Sequence, residues 1–265
     1  MEILITQITK LYPLKLARFT LIIQLVSCCF FSSSALEANE TVLSSINTYD
    51  LTYTVKIDGL SLETKRTLVH LENGQYAETS DTKNILGKIT EKCLFGISNN
   101  GKVKPQKYTK QQDILLKNKH YEVQAYNWDD KKLSLSVDGK EGQMDIQSGY
   151  FDILSLQQQL RADLKGVQKE LSYNIIRKGK LKKYRYQVIG HEILETHQGK
   201  FNSLHVERID ENGNKKTRLW FATDWDYVIL KLEKLGTDSK NTISKNTMIL
   251  NQGKLNDISI LPLKN

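Results

Sequence analysis

The sequence predicts a mainly β fold, an antiparallel meander of about a dozen strands forming a curved sheet, an open barrel or a two-sheet sandwich, with one helix between the two strand sets. Three observations carry this. Apolar and polar residues alternate with a period of two along most of the chain, and turn-forming Gly, Asn and Asp recur between these runs. A single segment, Asp152–Lys165, changes to a period of three to four. A dozen strands in one domain must curl or stack, because long open sheets twist and leave sticky edges.

The chain opens on a segment outside that fold. Lys10, Lys15 and Arg18 precede an apolar run of 13 residues, Phe19–Phe31, and small residues follow it, which is the layout of an export signal. A spanning helix needs about 20 apolar residues. The run falls short, no later segment approaches that length, and the mature chain is expected to carry no transmembrane anchor. Two processing routes fit. Ser33-Ser34-Ala35 suits cleavage after Ala35, and "LVSC", Leu25–Cys28, is similar to the lipobox that makes a cysteine the lipidated first residue of bacterial lipoproteins. The apolar run continues past Cys28 to Phe31, which favours Ala35. The expected segmentation is a signal over 1–35 (or a lipoprotein signal over 1–27), a flexible linker over 36–46 and one β-rich domain over 47–265. The expected location is periplasmic, soluble or lipid-anchored.

Of the 265 residues, 38 are Lys or Arg and 30 are Asp or Glu, a net charge of +8. Removing residues 1–35 leaves 35 basic and 29 acidic residues, or +6, so the chain stays basic. Only Cys93 remains of three cysteines. An exported chain with one thiol has no internal disulfide and relies on its hydrophobic core.

In "YDLTYTVKI", Tyr49, Leu51, Tyr53, Val55 and Ile57 alternate with polar residues, a strand with one buried face, and Asp58-Gly59 turns the chain. Further runs follow at Ser61–Leu71, Gln75–Thr82, Ile85–Ser98, His120–Trp128 and Lys132–Val137. Cys93 falls on the face of Ile85, Ile89, Phe95 and Ile97 as a core thiol, with no basic neighbour to make it a thiolate. In Asp152–Lys165, Ile153, Leu156, Leu160 and Leu164 form an apolar stripe, Asp152 caps the first turn and Gly166 follows the last. Strands resume at Leu171–Arg177, Leu181–Ile189, Glu192–Thr196, Phe201–Ile209, Lys216–Thr223 and Tyr227–Leu235. No strand and helix units alternate, so no parallel sheet is expected.

The chain holds no Gly-x-Ser-x-Gly elbow, phosphate-cradling glycine loop or paired-cysteine metal site. "GHEILETH" spaces His191 and His197 six apart, about 20 Å along a strand, too far for one zinc ion. His205 on the next strand is placed to pair across with His197, as a solvated or hydrogen-bonded pair before a metal site. Asp129-Asp130 and Asp224/Asp226 read as turn formers and not as a catalytic carboxylate pair. No catalytic residue, metal or cofactor is expected. The lysine-rich runs Lys102–Lys119 and Arg177–Arg185 read as solvated hairpin loops; their functional alternative is a patch for anionic partners, with Arg177, Lys178, Lys180, Lys182, Lys183 and Arg185 as a basic rim. Export disfavours nucleic acid as a partner.

Two tryptophans, a phenylalanine and a tyrosine crowd "TRLWFATDWDYV". On the first strand Leu219 and Phe221 share one face as core, leaving Trp220 with Arg218 and Ala222 on the other. In a curved sheet that face would help line a pocket, and Trp220, Trp225 and Tyr53 are the candidate ligand-lining residues.

The same stretch carries a family resemblance. Gly199, Phe201, Ser203 and Arg208 mark one strand, and Thr217, Trp220, Ala222 and Asp224 the next element. With "YDLTYTV", "PQKY" at Pro105–Tyr108 and "DILSL" from Asp152, this pattern resembles domain-of-unknown-function family 3108, a family of exported bacterial proteins. One position departs from it: Ile229 stands where the pattern has proline after "DYV". The resemblance implies a compartment and a β-rich fold, and no activity. Two function classes follow: a noncatalytic envelope protein binding a lipid or other amphiphile, lipopolysaccharide included, or a structural module that pairs with an envelope protein. An envelope hydrolase is the third.

Overall fold

A computed structural model describes residues 46–57, 59–85, 87–115, 118–166, 168–209, 215–237 and 243–264. The export signal, both processing sites with Cys28, nearly all of the linker and Asp58 lie outside the described residues.

The strands are β1 (Tyr49–Ile57), β2 (Leu60–His70), β3 (Tyr76–Asn84), β4 (Gly87–Ile97), β5 (Val103–Ile114), β6 (His120–Asn127), β7 (Lys132–Val137), β8 (Lys140–Asp145) and β9 (Tyr150–Phe151). After the helix α1 (Ile153–Asp163) come β10 (Glu170–Arg177), β11 (Lys180–Thr196), β12 (Gly199–Ile209), β13 (Lys215–Ala222), β14 (Val228–Thr237), β15 (Ile243–Leu255) and β16 (Ile258–Ser259). A short 3-10 turn, Thr223–Trp225, joins β13 to β14.

All sixteen strands belong to one sheet, ordered β8-β7-β6-β5-β4-β3-β2-β1-β15-β14-β13-β12-β11-β10-β9, with β16 on β15. The meander closes on itself in sequence: β1 pairs with β15, so the N-terminal and C-terminal strand sets form one continuous surface. The sheet curls until its ends meet without a shared ladder. Gln124 Nε2 donates to the Ile176 carbonyl at 3.2 Å, and the Lys178 amide donates to Glu122 Oε1 at 2.9 Å. Tyr126, Leu133, Leu135, Ile146 and Ile176 form a small apolar seam there. The architecture is an open barrel and not a sandwich.

Four expectations need correction. Val103–Ile114, expected as a solvated loop, is a full strand. Its pairing shifts register between Leu94 and Phe95, and the extra residue, Gln106, inverts the alternation between Pro105 and Tyr108. Leu181–Ile189 and Glu192–Thr196 are one strand, β11, with a register shift at Val188/Gly190. Ile85 is not on the buried face of β4: the strand starts at Gly87 and Ile85 stands in the turn, 98% exposed. Finally, β9 and β10, joined through α1, pair in parallel over two residues each.

The helix occupies the inside of the curl, which is why polar as well as apolar residues of α1 are buried. Leu154, Leu156 and Leu160 meet the core, and Ser155, Gln158, Gln159 and Arg161 are buried beside them. Asp152 caps α1 by accepting from the amides of Leu154 (2.8 Å) and Ser155 (3.0 Å), completing a capping box with Ser155. The glutamines bind the wall: Gln157 Oε1 accepts from Arg66, Gln158 Nε2 donates to Glu78 at 2.7 Å, and Gln159 Oε1 accepts from the Val103 amide at 2.8 Å. At the far end Arg161 and Lys165 both pair with Asp226. The helix therefore closes one end of the barrel, the end of the β13–β14 turn.

The opposite end is formed by the hairpins β1–β2, β3–β4, β5–β6, β7–β8, β10–β11, β12–β13 and β14–β15, since alternate turns of an antiparallel meander lie on one side. The two-residue turns of β7–β8 and β10–β11 are Asp138-Gly139 (φ 52° and 80°) and Lys178-Gly179 (φ 52° and 67°). Left-handed conformation at both central positions matches the strand twist, and glycine supplies the second at no steric cost.

Candidate functional site

Inside the barrel, between the helix and the open end, lies a cavity of about 330 Å³. Its wall divides into two rows that the strand register sets directly. Nearer the hairpin tips, Tyr186, Arg208, Thr217, Lys234 and Asn246 are successive partners across β11 to β15. Two residues deeper, Leu219, Leu232, Met248 and Val55 are successive partners across β13, β14, β15 and β1. All of these face the cavity, with Leu154 and Leu160 of α1 at its floor.

The polar side is cationic. Arg66, Lys110, Arg177, Lys178, Arg208 and Lys234 line the cavity, against Glu91 and Glu122. Both carboxylates are engaged within the wall. Glu91 Oε1 accepts from the Tyr108 hydroxyl at 2.6 Å and from Lys110 at 3.2 Å, and despite burial these partners hold its carboxyl below the usual range. Glu122 Oε1 accepts from the Lys178 amide and, at 2.9 Å, from Gln124. Arg66 is held by Glu78 outside the cavity. Arg177, Lys178, Arg208 and Lys234 add further positive charge to the same wall.

Tyr184 brings the two guanidinium groups together: Arg177 donates to its hydroxyl at 3.2 Å, and the Arg208 guanidinium lies 4.4 Å from its ring centre. Lys234 is open to the cavity yet ringed by protein. That desolvation, followed by the charges of Arg177 and Arg208, pushes its ammonium below the usual lysine range. Like charges converging on a low-dielectric concave wall focus a positive potential there. The buried Asn246 Oδ1, next along the row, has no hydrogen-bond partner among the described residues.

Among the sequence candidates, Arg177 and Lys178 line this cavity, whereas Lys180, Lys182, Lys183 and Arg185 are exposed along β11. Lys110, from the lysine-rich run Lys102–Lys119, also lines it, whereas Arg208 and Lys234, which complete the cationic side, stand on separate strands with no run to mark them. The three aromatic candidates sit elsewhere. Trp220 is on the convex face and only 6% exposed: it stacks on His205 (4.7 Å, 14°), lies 4.7 Å from the Lys231 ammonium and donates to Glu192. Trp225 donates to the Leu261 carbonyl at 3.1 Å and so fastens the C-terminal segment to the 3-10 turn. Tyr53 is fully buried below the cavity, donates to the Ile229 carbonyl at 3.0 Å, and burial pushes its hydroxyl up to about 12.

The remaining candidates fall in supporting places. His197 lies in the β11–β12 turn while His205 pairs with Gly190, so the two do not face each other. Asp129 and Asp130 lie in a turn, Asp224 accepts from Asn202 at 2.8 Å, and Asp226 anchors α1. Cys93 is buried with its Sγ 3.1 Å from Asp152 Oδ2, and burial followed by that carboxyl pushes the thiol well up. Among the described residues no His, Cys, Asp or Glu cluster suits a metal ion, and no helix is long and apolar enough to cross a membrane.

Fold and cavity together define a β-barrel-like protein with a half-apolar, half-cationic interior. The chain belongs to the DUF3108 family, "Protein of unknown function (DUF3108)", whose family model matches residues 45–241. In fold it is similar to the crystal structure of a "Beta-barrel-like Protein of Domain of Unknown Function DUF1849" from Brucella abortus, with a TM-score of 0.54 and 9% identity over 79% of this chain and 98% of that one. It also aligns to the Pseudomonas aeruginosa MucA/MucB complex structure at 8% identity over 83% of this chain and 94% of that one, but the TM-score is 0.16, too slight for a shared fold. No curated protein sequence matches the chain.

Proposed function

We propose that this is an exported, noncatalytic envelope protein that holds an amphiphile in the barrel, its tail against Leu219, Leu232, Met248 and Val55 and its anionic head group on Arg208, Lys234 and Arg177. The observation that carries this reading is the adjacency of an aliphatic and a cationic row in one cavity. A volume of about 330 Å³ is at the small end for ligand pockets, which span roughly 300–1,000 Å³, and suits one chain better than a multi-chain lipid. The periplasmic location rests on the N-terminal signal pattern. Mapping the mature N-terminus tests it: a start at Leu36 or a blocked Cys28 supports export, and an intact Met1 opposes it.

The ligand reading is tested by titrating the protein with dodecyl phosphate below its micelle concentration. Saturable binding that weakens on Leu232→Glu and on Arg208→Gln supports it. Absence of binding, with no lipid found by native mass spectrometry of freshly purified protein, would leave the structural module as the better reading.

A further inference from the structure

The open end of the barrel carries an uncommon set of exposed aliphatic side chains. Leu60 stands at the β1–β2 tip, Ile85 at β3–β4, Leu115 at β5–β6, Leu181 at β10–β11 and Ile209 at the end of β12. Ile85 is 98% exposed, Leu115 64% and Leu60 50%. Hairpin tips are normally polar, since turns favour Gly, Asn, Asp and Ser. Here five tips on one side of the barrel each add a large apolar group, and topology alone gathers them, because they are far apart in sequence. At the closed end the β2–β3, β4–β5 and β6–β7 turns read "ENG", "SNNG" and "WDDK", and its exposed aliphatics, Ile258 and Leu261, belong to the C-terminal segment and not to hairpin tips.

Exposed lysines stand among these tips: Lys56 beside Ile57, Lys83 beside the β3–β4 turn, and Lys178, Lys180 and Lys182 around Leu181. Among the described carboxylates of the same rim, Asp113 pairs with Lys119 at 2.8 Å and Asp138 with His120 at 2.8 Å, while Glu141 is exposed beside Lys140. Aliphatic points that enter the acyl boundary, set among cations that meet head groups, match the chemistry of an anionic bilayer surface. Ile57 links this rim to the interior, being both exposed and part of the cavity wall.

We infer that the hairpin-tip rim docks on anionic phospholipid bilayers, with Leu60, Ile85, Leu115, Leu181 and Ile209 dipping into the interface and the surrounding lysines on the head groups. Docked this way, the barrel axis stands on the membrane with its open end facing lipid and the α1 end facing water. This surface is independent of what the cavity holds.

The test is co-sedimentation of the processed protein with vesicles of phosphatidylglycerol and phosphatidylcholine in equal parts, against vesicles of phosphatidylcholine alone. Binding to the anionic vesicles only, lost at high salt and reduced at least tenfold in Ile85→Glu/Leu115→Glu, is the expected result. Both residues are exposed, so the variant keeps its fold, checked by circular dichroism. Any N-terminal lipid is common to wild type and variant and cancels in their comparison. Equal binding by the two proteins, equal binding to neutral vesicles, or no vesicle binding by wild type overturns the proposal; so does a dimer in solution that the same substitutions dissociate, which would make the rim a self-association surface. Dodecyl phosphate titration separates the two readings. Rim variants that release vesicles yet bind this monomer sustain both, and vesicle docking without monomer binding removes the cavity reading alone.

Discussion

Arg208 and Lys234 flank Thr217 in one row across β12, β13 and β14, placing two cations two strands apart, about 10 Å between backbones, on the same cavity wall. Like charges set this close on a concave wall repel one another. Desolvation by the surrounding wall, followed by the charges of Arg177 and Arg208, lowers the Lys234 ammonium, so the folded chain releases that proton more readily than the unfolded chain, whose lysines titrate at about 10.4. Stability should therefore rise as pH climbs through the lowered folded range and level off above the unfolded one. An anion stabilises the charged form, so its binding takes up a proton.

Affinity for dodecyl phosphate is accordingly expected to fall as pH rises through the Lys234 range. Removing one charged contact, by Lys234→Met or Arg208→Gln, should weaken binding by about 1.5–3 kcal/mol, or roughly 10- to 150-fold. Lys234→Met should also flatten the pH dependence. Calorimetric titration at several pH values measures both effects, and a pH-independent affinity in the wild type would remove Lys234 from the site.

Trp220→Ala is expected to act on stability alone. The indole is clamped between His205 and Lys231 on the convex face, away from the cavity, so the variant should lose about 3 kcal/mol of folding stability and keep its ligand affinity. Urea denaturation and dodecyl phosphate titration of the same variant read the two quantities. Weakened binding at unchanged stability would reverse the assignment.

The alternation in Tyr49–Ile57 and the stripe of Ile153, Leu156, Leu160 and Leu164 were legible because each element keeps one period from end to end. The missed strands lack that property. Gln106 in β5 and Asn251 in β15 are extra residues at register shifts, so each strand changes its inward parity midway and reads as patternless. Cavity-facing positions compound this, since an open barrel interior accepts Lys110, Lys234 and Asn246 where a packed core would demand apolar residues. Alternation sets Trp220 opposite Leu219, but which face is concave depends on the curl of the whole sheet, which no local pattern contains. Arg208 and Thr217 stood out only as family-signature residues; that they share a row with Lys234 is a fact of register.

Asp152 ties the helix start to β4, accepting from two α1 amides and from the Cys93 thiol. Burial raises its carboxyl against the pull of Ser155, Cys93 and Leu154. Asp152→Ala should remove the cap and leave the thiol without this acceptor, costing about 1–2 kcal/mol by urea denaturation. Cys93→Ala, which keeps the cap, should show a different signature: unchanged helix fraying by hydrogen exchange at Leu154 and Ser155.

The last expectation concerns the ion pair beneath the helix. Arg66 and Glu78 bond directly, both side chains being almost wholly buried, and Glu78 also accepts from the Tyr49 hydroxyl at 2.8 Å and from Gln158 of α1 at 2.7 Å. The pair is therefore the junction between β1, β2, β3 and the helix that closes the barrel. Replacing Arg66 alone leaves a carboxylate in a desolvated site with only neutral donors, and Arg66→Met should cost about 3–5 kcal/mol. The double variant Arg66→Met/Glu78→Met removes the stranded charge and should recover much of that loss, because two apolar groups need no partner. If stability measured in urea falls additively in the double variant, the pair contributes through something other than mutual neutralisation. Recovery of stability together with loosened protection of the α1 amides would instead show that the buried charges serve mainly to seat the helix.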